Sequence, residues 1–183
     1  NRFGFTLIEI LVVVAISVVM ILVGSGILIA NSKFYQNQKG EIASVNATRQ
    51  AADRLSEFAR AATDILASRQ FGGTTYTTGA AMVVLRVPSI DSSGGIIAST
   101  YDYAAFGGDP DNANRLLLVV AGAAGSVRVD RTLEVTDKLS AISITYDNAD
   151  PTLAKQITYT ITVTETGRYA ASEQVTGAAT LRN

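Results

Sequence analysis

Residues 5–30, FTLIEILVVVAISVVMILVGSGILIA, are apolar except for Thr6, two serines, two glycines and Glu9, and Glu9 is the only charge among them. As a helix rising about 1.5 Å per residue, such a run is long enough to cross the ~30 Å hydrocarbon core of a bilayer. The pattern predicts a membrane-spanning helix over 5–30. A cleaved secretory signal is the alternative, but there an apolar core of about 7–15 residues leads to a small-residue cleavage site. This run is longer and continues into further helical sequence without a cluster of turn residues. An ionised side chain at the centre of such a helix costs about 2.5–3.5 kcal/mol, which makes Glu9 a functional candidate. Its place near the helix end also allows it to snorkel or protonate at the membrane surface. Gly24 and Gly26 flank Ser25, and each glycine costs ~1 kcal/mol of helix propensity. They read either as a segment able to unwind or as a close contact with another helix.

From 31 to 70 the pattern is amphipathic. Ala52, Leu55, Ala59, Ala62 and Leu66 recur at steps of three and four, on one helical face. Arg49, Asp53, Glu57, Arg60 and Asp64 fall elsewhere, with Arg49–Asp53 and Glu57–Arg60 at helical pairing distances. No proline falls between 5 and 70, so one continuous helix is allowed, ended by FGGTTYTTG at 71–79.

Beyond 79 the period becomes two. In QITYTITVT, Ile157, Tyr159, Ile161 and Val163 alternate with Thr158, Thr160, Thr162 and Thr164, a half-buried strand. Alternation also marks 127–135 and 142–146, and apolar runs mark 82–87, 96–103, 116–121 and 171–181. The expected fold class is α+β: a long N-terminal helix, transmembrane and then amphipathic, packed on an antiparallel β-sheet over 71–183.

Composition narrows the chemistry. The chain of 183 residues has no histidine, cysteine or tryptophan and a net charge of −1. Absent histidine excludes a Ser-His-Asp triad, a His proton shuttle and the common His-containing zinc sites, while carboxylate-only chemistry remains possible in principle. The charge balance gives no general case for nucleic acid as a partner.

The opening RFGFTLIEILVVVAI resembles the processing and assembly signature of type IV pilins and the pseudopilins of type II secretion. The resemblance implies that 1–4 are the remnant of a basic leader, with Arg2 its basic residue. It also implies that a prepilin peptidase cuts after Gly4 and methylates the amine of Phe5. Glu9 would then pair with the Phe5 amine of a neighbouring subunit as the apolar helices bundle. The implied protein is no enzyme but a structural subunit of a pilus-like filament. It would be held in the inner membrane as a precursor and later found on the cell surface or in the periplasm, with the membrane assembly machinery as partner. A minor pilin or pseudopilin of a secretion or DNA-uptake system is the alternative within the family, and a solitary membrane-anchored binding domain the alternative outside it. Two departures are visible: Gly24 and Gly26 stand near where many relatives have a helix-breaking proline, and no disulfide can close the C-terminal region.

Three lesser constellations remain. Asp147, Asn148 and Asp150 in DNADP, and Asp109, Asp111 and Asn112 in GDPDN, are oxygen-rich enough to suggest calcium, which some pseudopilins carry, but serve equally as turn residues. Arg115, Arg128 and Arg131 suggest either a basic patch for DNA or a solvated strand face. Tyr76, Tyr101, Tyr103 and Tyr169 suggest an aromatic surface or ordinary strand packing.

Overall fold

The computed structural model describes residues 6–165 and 171–182. One helix, α1 (Leu7–Ala61), is followed by β1 (Asp64–Leu66), β2 (Ser68–Phe71), β3 (Thr74–Thr77), β4 (Met82–Ile90) and β5 (Ile96–Asp109). Then come β6 (Asn112–Ala121), β7 (Arg131–Thr136), β8 (Leu139–Tyr146), a 3-10 turn (Pro151–Leu153), β9 (Gln156–Glu165) and β10 (Ala171–Thr180). The chain forms two compact units, Asn1–Lys39 and Gly40–Asn183.

In the first unit α1 is exposed along its length, with Leu11, Ile16, Leu22 and Leu28 all open. Its hydroxyls are satisfied within the helix: Ser17 and Ser25 donate to the carbonyls of Val13 and Ile21 at 2.8 and 2.7 Å. Such back-bonding lets serine sit in an apolar span without an orphaned donor.

In the second unit, residues of α1 enter a core. Ala51, Leu55, Phe58 and Ala59, with Ala62 just past the helix end, pack with the inner faces of two antiparallel sheets. One has the order β1-β4-β5-β6-β7 and contributes Val83, Leu85, Phe106, Leu116 and Leu118; the other, β10-β9-β8, contributes Ile157, Ile161 and Val163. The alternation of β9 holds: Ile157, Tyr159, Ile161 and Val163 are buried, and the intervening threonines are half-buried or exposed. Tyr159 ties sheet to helix through its hydroxyl, 2.6 Å from the Ser56 hydroxyl and donating to the Ala52 carbonyl. Gly177 on β10 lies against that phenol, where a Cβ would collide with the tyrosine oxygen. A two-stranded sheet, β2-β3, forms a second core with the other face of the large sheet through Phe71, Tyr76, Val84, Ala105, Leu117 and Val119.

Four expectations need correction. The amphipathic helix does not run to 70. After Ala62, whose amide still reaches the Phe58 carbonyl, the Thr63 amide donates to Arg86 on β4 at 2.9 Å, and residues 64–66 pair antiparallel with 84–86. A free strand edge and the Asp64–Arg86 ion pair capture a segment whose spacing alone reads as helix. Leu66 therefore leaves the helical face and belongs to β1. Arg49–Asp53 and Glu57–Arg60 are not paired; the helical pair is Arg54–Glu57 at 3.3 Å. Finally, the strand expected from 127 begins only at Arg131, and Val127 and Val129 are exposed in a loop. The single sheet expected over 71–183 is three sheets.

Candidate functional site

The sequence TLIE at residues 6–9 builds the start of α1. Thr6 stands just before the helix and Glu9 three residues later, the spacing of a capping box. Both the amide and the hydroxyl of Thr6 donate to Glu9 Oε2 at 2.9 Å, and the Glu9 amide donates back to Thr6 Oγ1 at 3.3 Å. The pair satisfies amides that a helix start otherwise leaves without partners. Glu9 Oε1 has no hydrogen bond among the described residues. The carboxylate is thus held by Thr6 through one oxygen, while the other has no partner among the described residues. Reading only the desolvation cost of Glu9 missed this local role, although S/T-x-x-E is a visible signal.

Downstream of Glu9, Ile10, Val13 and Val14 are exposed, and the apolar face continues to Ile29. The helix is long and apolar enough to cross a membrane, and its most apolar stretch is uncovered among the described residues. Gly24 and Gly26 are helical, and a Cβ at either would touch nothing within 4 Å, so no contact inside the chain requires them. Gly4 and Phe5 lie outside the described residues, as does Tyr169.

The prokaryotic N-terminal methylation motif matches residues 1–25. This is a prepilin signal. It is the signal carried by type IV pilins and pseudopilins, and here it covers the first 25 of 183 residues. The pilin-type motif points to a structural protein rather than an enzyme. It implies processing by prepilin peptidase and entry into pilus or secretion machinery, and with the apolar helix it fits a membrane-anchored precursor. The helix followed by antiparallel sheets is a pilin-like architecture. No curated protein and no solved structure matches the chain.

The other site residues of this pilin-like chain fall into structural arrangements. Asp147 Oδ1 accepts the Lys155 amide, Asn148 Oδ1 the Asp150 amide, and Asp150 caps the 3-10 turn through the Thr152 amide, at 2.9, 3.0 and 2.9 Å. The Thr152 hydroxyl and the Thr152 amide hold Asp150 below the usual carboxylate range. In the other loop Asp109 and Asn112 accept the Asp111 and Asn114 amides at 2.9 and 3.1 Å. Among the described residues no three acidic, cysteine or histidine side chains gather as a metal site.

The arginines do not form one patch. Arg115 joins Asp109 at 3.5 Å and Glu134 at 2.5 Å, Arg128 turns inward, and Arg131 starts β7. Arg128 Nη1 donates to Asp102 Oδ2 at 2.9 Å and to the Pro88 carbonyl at 2.8 Å. Asp102, 1% exposed, also accepts the Ser89 and Ser126 hydroxyls and the Ala123 amide. Burial alone would raise its pKa, but the Ala123 amide, Ser126, Arg128 and Ser89 together hold it below the usual value. This cluster, invisible in the local pattern, anchors the loop between β6 and β7. The tyrosines are also engaged: Tyr76 meets Phe71 edge-on, while Arg69 covers Tyr103 and Arg86 covers Tyr101 at 3.2 and 4.6 Å from the ring centres.

Proposed function

We propose that this chain is the structural subunit of a type IV pilus-like filament whose core is a bundle of α1 helices. The carrying observation is an apolar helix, bearing the prepilin signal, that its own chain leaves uncovered. Left in water, each exposed Val, Leu or Ile forgoes about 1.5–3 kcal/mol of burial. Such a helix is stable only in lipid or against other helices. Cleavage after Gly4 exposes the Phe5 amine, and methylation keeps it basic. On a neighbouring subunit that amine meets Glu9 Oε1, the oxygen that the capping box does not use, while Oε2 keeps Thr6. A charge-assisted hydrogen bond in a low-dielectric bundle is stronger than one in water, so register and association are set together. The sheets of the second unit form the filament's outer surface, and flexibility at Gly24 and Gly26 lets the helix adjust during assembly.

Glu9→Val tests this directly, with Thr6 left in place. The variant is expected to insert in the membrane at normal yield and to be lost from filaments seen by electron microscopy. Filaments at wild-type yield would refute the pairing. A chain that never forms filaments, with or without Glu9, would favour a membrane-anchored binding domain.

A further inference from the structure

The exposed apolar surface of α1 does not stop at Ile29. Two large aromatic side chains follow, Phe34 and Tyr35, both more than half exposed and meeting edge-on at 6.5 Å. Lys33 precedes them and Lys39 follows, and no acidic residue lies between Glu9 and Glu41. Consecutive helical residues are about 100° apart, so Lys33, Phe34 and Tyr35 together span about 200° of the circumference. This is a collar rather than a stripe. Around it stand Asn31, Ser32, Gln36, Asn37 and Gln38, polar residues unsuited to hydrocarbon. The change from unbroken apolar sequence to aromatic, basic and amide side chains takes place within about one helical turn.

We propose that Lys33, Phe34 and Tyr35 seat α1 in the headgroup layer of the bilayer and fix the depth of the precursor. The inference rests on the membrane-anchored reading of the first unit. Tyrosine gains at such an interface because its ring is apolar and its hydroxyl wet, while lysine extends its ammonium toward phosphate. The occupant is the membrane interface because the collar is continuous with the spanning helix and stands at its polar end. Length supports the placement. Glu9 and Phe34 are 25 residues apart in one helix, about 37 Å of rise, or about 35 Å at a tilt near 20°. The hydrocarbon core is ~30 Å thick. With the collar at one interface, Glu9 lies in the opposite headgroup layer, hydrated and capped by Thr6. It reaches low dielectric only when the helix leaves the bilayer for a bundle. The charge is therefore not stranded in the precursor.

The chain has no tryptophan, so single substitutions give clean depth reporters. The full-length protein is reconstituted in vesicles of phosphatidylcholine and phosphatidylglycerol, with lipids brominated either near the headgroup or near the chain ends. Phe34→Trp is expected to be quenched most by the shallow bromines, and Met20→Trp by the deep ones. In the Met20→Trp background, adding Phe34→Ala and Tyr35→Ala is expected to move the quenching profile. Trp at 34 fully quenched by the deep set, or not quenched by either, overturns the collar, as does an unmoved profile in the triple variant. If Trp at 20 escapes quenching, the membrane-spanning reading fails and the collar with it, a result separable from failure of the collar alone.

Discussion

Asp102 illustrates how much one buried side chain can carry. Its two oxygens take four hydrogen bonds, from the Ser89, Ser126 and Arg128 side chains and the Ala123 amide. Replacing it with alanine leaves the Arg128 guanidinium half-buried against Pro88 without its counter-charge. Asp102→Ala is expected to cost about 3 kcal/mol, read from guanidinium denaturation of the detergent-solubilised chain. Because the folded pKa of Asp102 is depressed, its contribution is complete above about pH 4 and is lost as pH falls through the folded value. The acid limb of the stability profile should therefore flatten in the variant. Tyr146 acts at the other end of the scale. It donates to the carbonyls of Gly79 and Met82, and burial pushes its phenol up to about 12. An unfolded tyrosine ionises near pH 10, so this contribution is intact below about pH 10 and is lost as pH rises toward 12. Tyr146→Phe should remove that alkaline slope in a pH series of thermal melts. Neither role was legible beforehand: Asp102 and Arg128 are distant along the chain, and the pairing of β5 with β6 and the return of the 122–130 loop bring them together.

Helices and strands were more readable, with one instructive failure. The amphipathic spacing of Ala52, Leu55, Ala59 and Ala62 is real, and all four are buried. The same spacing continued into Leu66, yet the chain leaves the helix at Ala61 to pair with β4. Hydrophobic periodicity cannot reveal a waiting strand edge. Over 127–130 the apparent alternation is a loop held by the Asp102 cluster, and only from Arg131 does it become strand; Gly122 is needed there because a Cβ would collide with the Arg128 carbonyl. Gly24 and Gly26 present the opposite case, since nothing in the chain packs against them. Gly24→Ala with Gly26→Ala should stiffen the helix, with a gain of ~1 kcal/mol per site in propensity. Slower amide exchange over residues 22–28 in detergent micelles is the expected readout. Assembly slowed in parallel would fit a need for flexibility, and unchanged assembly would assign the glycines to another use.

For the whole molecule, every residue of α1 that enters the main core comes from Ser44 onward. A chain starting at Gly40 should therefore keep its near-ultraviolet circular dichroism and melt cooperatively, while remaining monomeric in sedimentation. Loss of the fold would show that the first unit stabilises the second. Local sequence determined the spanning run, the prepilin signal, the capping box and the faces of strands such as β9, because each depends on residue type at short spacing. Tertiary structure decided where α1 ends, that the strands form three sheets, which face the β2-β3 hairpin covers, and that Arg128 turns inward. Those outcomes depend on contacts between segments far apart in the chain, whose energies no local period encodes.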